Sequence, residues 1–211
     1  MLGAVSSDFS KPQAGTNPYA EPISSISTLT KGLSTGYKVR VLGTQTWLTT
    51  TTYYTDKGRI IQTLTENMNS GRDVVTNLYD FSGKVLSTYT RHKNLKSSLT
   101  PQTTILTSMT YDKAGRLIQT TRQLNDDAST QSIAGTNSYD ELGQLKTKNF
   151  GVKNGIPIES LNYEYNIRGW LKSINKGFVN AAGSTTNWFG QELNYDDGFQ
   201  KNQFNGNKME E

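Results

Sequence analysis

Apolar and polar positions along this chain alternate in short runs instead of recurring every three or four residues. From Tyr37 the runs are rich in Thr, Val, Ile, Tyr and Trp, residues that suit a pleated, half-buried surface. Clusters of Gly, Asn, Asp and Ser separate them. The pattern predicts strands over 38–42, 47–54, 60–66, 74–79, 85–91, 104–111, 117–124, 145–150 and 156–165. It predicts no helix. Between the strands stand turns at Gly43-Thr44-Gln45, Asn69-Ser70-Gly71, 125–129 and Asn154-Gly155, with a looser polar connection over 92–101. Asn-Gly is the strongest short-range hairpin signal among them.

The remaining turns share one motif. Tyr111-Asp112-Lys113-Ala114-Gly115-Arg116-Leu117 is repeated in spacing by 79–85 (Tyr79, Asp80, Gly83, Lys84, Val85) and 139–145 (Tyr139, Asp140, Gly143, Gln144, Leu145). Two looser copies run 54–60 (Tyr54, Asp56, Gly58, Arg59, Ile60) and 165–171 (Tyr165, Asn166, Gly169, Trp170, Leu171), with Asp56 displaced by one position. Asp followed by Gly three residues on is turn chemistry: the carboxylate accepts backbone hydrogen bonds, and Gly supplies φ > 0. The fitting geometry is a type I turn closed by Gly as a bulge. It sets Asp112 opposite Arg116 and Asp80 opposite Lys84. One step out, Tyr111 meets Leu117, Tyr79 meets Val85 and Tyr139 meets Leu145, aromatic–aliphatic pairs that fix register. The tyrosines, the turn carboxylates and the glycines are therefore structural candidates.

The two turn families alternate. Gly58 to Gly71 is 13 positions, Gly71 to Gly83 is 12, Gly143 to Gly155 is 12 and Gly155 to Gly169 is 14. The predicted fold is all-β: an antiparallel hairpin meander with the Tyr-Asp turns along one edge and the variable turns along the other. A dozen strands at about 4.8 Å each make a ribbon about 60 Å wide, and such sheets twist, curl or close. Part of a shell, or a barrel-like spiral, is the expectation.

Composition adjusts the domain picture. Residues 1–36 are rich in Ser, Gly, Thr and Pro and read as an extended or partly ordered arm, within which 23–29 has the makings of an edge strand. Residues 37–207 form the repeat domain, and 208–211 a tail. Over 175–211 the chain is Gly- and Asn-rich, with Tyr195-Asp196-Asp197-Gly198 as a shortened repeat turn. The chain stops soon after Asn205-Gly206-Asn207 without a closing pattern, as a fragment of a larger protein would. Across 211 residues, 33% hydrophobic content and a mean hydropathy of -0.63 argue against a thick core and for thin sheet buried on one face. Open edges at 23–29, 38–42 and 199–207, mostly uncharged, predict self-association or an arm folded over its own edge.

Charge and candidate chemistry change less. The net charge of +4 comes from Lys and Arg scattered among carboxylates, a solvated surface and not a nucleic-acid groove. With no cysteine there is no disulfide framework and no thiolate metal site. No apolar run reaches the roughly 20 residues of a membrane helix, and residues 1–20 lack a signal-peptide core, so export implies a signal on a longer parent chain. His92, the one histidine, gives neither a triad nor metal-ligand spacing. Asp126-Asp127 and Asp196-Asp197 lack the loop that would gather the six to eight or so oxygens Ca²⁺ takes. No catalytic, cofactor or metal residue is predicted. Trp47, Trp170 and Trp188, with Tyr53 and Tyr89, offer an aromatic platform of the kind that binds sugar; packing in a thin sheet is the plainer use of such rings.

The motif series resembles the YD repeats of the Rhs family. The stretches 41–50 (Val-Leu-Gly-Thr-Gln-Thr-Trp-Leu-Thr-Thr), 79–86 and 165–171 look like Rhs-repeat proteins of Bacteroidetes, and the likeness covers about 37–207. It implies a large secreted or surface protein whose repeats wind into a hollow β-shell around a C-terminal, often toxic, polypeptide. Teneurin ectodomains, which act in adhesion, contain similar repeats. The implied partners are the rest of the parent chain and the enclosed polypeptide, with a glycan or cell-surface partner as the alternative. The self-cleaving core segment of some Rhs shells is not recognisable here, nor is a toxin.

Overall fold

The computed structural model describes residues 28–181, 187–195, 209 and 210. Thirteen strands follow one another: β1 (Gly36–Arg40), β2 (Trp47–Tyr54), β3 (Ile60–Glu66), β4 (Arg72–Tyr79), β5 (Val85–Lys93), β6 (Gln102–Tyr111), β7 (Leu117–Leu124), β8 (Asp127–Tyr139), β9 (Leu145–Lys153), β10 (Ile156–Tyr165), β11 (Leu171–Ile174), β12 (Gln191–Asn194) and β13 (Met209–Glu210). Among the described residues one five-residue helix, α1 (Lys176–Asn180), lies between β11 and β12. Strand order in the sheet is chain order, linear from β1 to β13. Pairing is antiparallel from β1 to β6 and from β8 to β13. The all-β meander read from the sequence is the architecture found. Of the strand expected over 23–29, only Thr28 and Leu29 are among the described residues, and they lie in no strand. Asp196-Asp197, the turn at Gly198, the edge at 199–207 and most of the 208–211 tail fall outside them.

The far turns follow their chemistry. Asn154 and Gly155 take φ of 53° and 79°, the two positive values that let a two-residue loop follow strand twist. Asn125 and Asp126 do the same at 51° and 57°, because their short polar side chains tolerate the left-handed region. That turn is thus tighter than the 125–129 loop expected, and β8 starts at Asp127.

The chain divides into two compact units: residues to Thr110 with Thr121–Gln131, and Tyr111–Thr120 with residues from Ser132 onward. In the first, Val74, Thr76 and Leu78 are buried at every second position of β4, as a one-faced strand requires. Ile61, Leu64, Leu86 and Tyr89 join them. Polar groups share this core. Gln62 and Thr76 are fully buried cross-strand partners, and the Gln62 amide donates to the Thr76 hydroxyl at 2.9 Å, which removes the penalty of burying them. This economy explains how a weakly apolar sequence fills a core. In the second unit Leu193, Tyr195, Ser173 and Asn175 are buried. Asn175, at φ 46°, ties three segments: it accepts from the Asn162 amide and donates to the Phe189 carbonyl, each at 2.8 Å.

The repeat hairpins at Tyr54, Tyr79, Tyr139 and Tyr165 carry a second irregularity. Tyr54 pairs with Ile60 but Tyr53 with Gln62; Tyr79 pairs with Val85 but Leu78 with Ser87. One residue of the return strand is therefore inserted, a bulge just beyond the Tyr–aliphatic pair. Burial records it: Ile61 and Gln62 are buried in succession, as are Leu86 and Ser87. In the second unit the shift recurs after Tyr139 and Tyr165, where the inserted residues are exposed lysines, Lys146 and Lys172.

Candidate functional site

The feature that repeats with constant geometry, within each unit, is the Tyr-Asp turn. Within a turn, the Gly83 amide donates to the Asp80 carbonyl at 3.1 Å and the Asp80 amide to the Lys84 carbonyl at 3.0 Å. The same pair of bonds closes the turns at Asp112, Asp140 and Asn166. The repeat glycines take φ between 72° and 96°, as the type I turn and bulge require. The carboxylate sits inside the turn it initiates. Asp80, Asp112 and Asp140 accept from the amide four residues on at 2.8–2.9 Å, and Asn166 accepts likewise at 3.0 Å. In the first copy this place belongs to the hydroxyl of Thr55, which accepts from the Lys57 and Arg59 amides, so the displaced Asp56 is not the turn-former.

Electrostatics follow the geometry. At Asp112 the Arg116 amide and guanidinium, the latter 2.7 Å away, outweigh desolvation and hold the carboxyl below its ordinary value. At Asp80 desolvation pushes up, but the Ser82 hydroxyl, the Lys84 amide and the Lys84 ammonium bring the net shift down. Burial pushes the phenols of Tyr79 and Tyr165 up, which keeps them neutral donors.

Those phenols reach across to the neighbouring hairpin. Tyr79 donates to the Ile60 carbonyl at 2.8 Å, Tyr139 to Leu117 at 2.9 Å, Tyr165 to Leu145 at 2.9 Å and Tyr195 to Leu171 at 2.7 Å. Each acceptor stands two residues after the glycine of the preceding repeat. Asn77 and Asn137, two before their tyrosines, donate to the same carbonyls. Tyr195 thereby behaves as a repeat tyrosine.

At Arg59, Arg116, Gln144 and Trp170 the residue after the glycine leans on the next turn, whereas Lys84 stays on its own, at Ser82 and Asp80. The Arg59 guanidinium lies 5.9 Å over the Tyr79 ring and donates to the Asp80 and Phe81 carbonyls at 3.0 and 3.1 Å. Arg116 lies 4.6 Å over Tyr139, and Trp170 packs 5.2 Å from Tyr195. A methyl group on Gly83 would stand 2.9 Å from Arg59 Nη2, one on Gly143 3.2 Å from Arg116 Nη1, and one on Gly169 3.0 Å from Gln144 Nε2. Glycine serves backbone and neighbour together.

The ladder also begins before its first tyrosine. Tyr54 donates to the Ser34 carbonyl at 2.6 Å, and the Thr52 amide donates to Thr35. Ser34 stands two residues after Gly32, which has φ 82°, and Leu33 lies 3.9 Å from where a Gly58 methyl would be. Residues 32–35 thus act as the second half of a repeat turn without Tyr or Asp, inside the segment that composition assigns to the arm.

Other candidates are placed apart. Trp47 is 51% exposed in the first unit; in the second, Trp188 is 73% exposed while Trp170 is half-buried beneath Arg168 and against Tyr195. Tyr89 is core, with its hydroxyl on the Asp126 carboxylate. Asp127 accepts from the Ser129 amide. His92 Nδ1 meets Asp73 Oδ1 at 2.6 Å across β4 and β5, both partly exposed. No group of three or more potential metal ligands occurs among the described residues.

No family model and no curated protein matches the chain. Among solved structures it is similar to a chain of the Photorhabdus luminescens Tc holotoxin pore, at 12% identity and a TM-score of 0.23 over 70% of this chain. The match takes in 11% of that chain's length.

Three outcomes follow. Tyr139→Phe, which loses only the bond to Leu117, lowers stability by about 0.5–1.5 kcal/mol, and Tyr139→Ala by about 2–4 kcal/mol, read by urea denaturation; equal values for the two would show that the hydroxyl contributes nothing. Removing residues 1–35 lowers the melting temperature by more than removing 1–27, since only the former takes the Ser34 acceptor. Because folded-state values for Asp80 and Asp112 lie below those of the unfolded chain, their contribution is full above about pH 5. It is lost as pH falls through and below the ordinary Asp value of about 3.9. Asp112→Asn, which keeps the backbone bonds as Asn166 does, should shrink the drop in melting temperature between pH 5 and pH 3.

Proposed function

We propose that this chain is a non-enzymatic structural YD-repeat segment of a large secreted or surface Rhs-type protein, forming part of a β-shell around a C-terminal polypeptide. One observation carries the reading: the residues that recur are spent on one another. The hydroxyls of Tyr79, Tyr139 and Tyr165 bond the preceding hairpin's carbonyl, Asp140 and Asn166 bond their own turns, and Arg59 and Arg116 cover the next turn. A site that binds or catalyses needs polar groups aimed at space for a ligand. A wall that grows by nearest-neighbour contacts needs self-complementary units, and the repeats have that property. The partners in this reading are neighbouring repeats and the enclosed polypeptide; the location is extracellular.

The competing use is an adhesion or carbohydrate-binding module, for which the exposed rings of Trp47 and Trp188 are the available surface. A glycan array read beside thermal melting separates the two. The structural reading expects no glycan signal above background and a melting temperature that falls in Tyr79→Ala but not in Trp188→Ala. Saturable glycan binding that Trp188→Ala or Trp47→Ala abolishes would replace it with the adhesion reading.

A further inference from the structure

At the far-turn end of the first unit, away from the Tyr-Asp edge, lies a cavity of about 340 Å³ lined in part by Leu64, Val74, Leu95, Arg72, Arg91 and Lys93. Its position follows from register. Leu64 faces Val74 across β3 and β4, and Val74 faces Arg91 across β4 and β5, so two buried aliphatic residues and a guanidinium share one row. One row further out stand Arg72 and Lys93, on the same face by the two-residue period of a strand. Leu64 and Val74 are 3% exposed and form the floor, while Arg72, Lys93 and Leu95 are exposed at the rim. The turn at Asn67–Gly71 borders it, held by Asn67 Nδ2 on the Lys93 carbonyl at 2.9 Å and by Lys96 Nζ on the Met68 carbonyl at 3.3 Å.

The charge is one-sided. The described lining residues include three cations and no carboxylate. Glu66 faces Arg72 across the strand pair, but its Oε2 accepts from the Thr49 amide at 3.0 Å. Asp73, next in sequence, points to the opposite face and meets His92. Arg72 and Lys93 make no side-chain hydrogen bond or ion pair among the described residues. Arg72 and Lys93, like charges set side by side at the rim, repel one another until an anion joins them. A fully hydrated inorganic anion would compensate the charge but leave the leucine and valine floor unused. The volume is at the small end of the roughly 300–1,000 Å³ typical of small-molecule sites, which combine an apolar lining with a few convergent polar groups.

We propose that this cavity binds a small organic anion, a carboxylate on a short aliphatic stem, with the head group between Arg72 and Lys93 and the stem on Leu64 and Val74. The site is independent of the shell reading and stands or falls without it. Titration calorimetry of the whole chain at constant ionic strength tests it, with sodium octanoate, inorganic phosphate and octanol as probes. Octanoate is expected to bind saturably at one site, with phosphate and octanol each at least tenfold weaker. The double variant Arg72→Gln/Lys93→Gln should lose at least tenfold in octanoate affinity while keeping its melting temperature, since both side chains are exposed. Leu95→Glu, which sets a carboxylate at the rim and leaves the cations in place, should lose as much. Absence of saturable octanoate binding, phosphate binding as tight as octanoate, or unchanged affinity in the folded variants would overturn the assignment.

Discussion

The hydrogen bond from a repeat tyrosine hydroxyl to a backbone carbonyl one hairpin away is what the repeat turns depend on. An antiparallel meander is held within each strand pair by its own ladder, but that ladder does not fix how successive turns stand beside one another. The Tyr79 bond to Ile60 and its counterparts at Tyr139, Tyr165 and Tyr195 do. The acceptor is the carbonyl of the residue that pairs with the preceding tyrosine, so one residue both sets the register of its own hairpin and receives the next. Loss of a donor leaves that carbonyl short of a partner unless it reaches water, and this asymmetry makes the bond worth more than its net contribution suggests. Where Asn77 and Asn137 donate to the same oxygens, the acceptor is shared and part of the ladder survives.

Around this bond the other repeat positions divide the work. Asp or Asn preorganises the turn, and Thr55 shows that any short side chain with an acceptor oxygen suffices. Glycine admits the positive φ and leaves room for the arginine or glutamine head from the repeat before. The residue after glycine varies among Arg, Gln and Trp where it covers the next ring or turn, which a guanidinium, an amide and an indole can each do, while Lys84 instead pairs within its own turn. The opposite edge carries no such constraint, and there the turns differ in length and chemistry. The cationic cavity beside Asn67–Gly71 belongs to that freer edge.

Most of the strand plan was legible because its signals are local. Trp47–Tyr54, Ile60–Glu66, Leu117–Leu124 and Ile156–Tyr165 begin and end where alternation and turn residues put them, and the Tyr–aliphatic pairs follow from turn geometry alone. The tyrosine–carbonyl link escaped, since donor and acceptor lie about twenty residues apart with a variable turn between them. The recurrence of the repeat glycines every 25 to 32 positions and the Asn at 77 and 137 were the available signals. Gly32 was missed because its copy lacks both tyrosine and carboxylate. Which face the return strands bury was also illegible: the residue inserted after each Tyr–aliphatic pair, Ile61 or Leu86, reverses the parity of that strand, so counting by twos from the turn gives the wrong side.

The way the side chains of Arg59, Arg116 and Gln144 sit against the following glycine settles where one module ends. Sequence comparison by eye would cut the array at the tyrosine, but such a cut separates Arg59 from the turn it covers and leaves Gly83 facing a stranger. The self-contained module runs from the residue after one glycine through the next, Arg59 to Gly83 or Gln144 to Gly169, 25 and 26 positions respectively. Duplication or exchange in that frame carries each covering side chain together with the hollow that receives it. A cut in any other frame breeds mismatched seams.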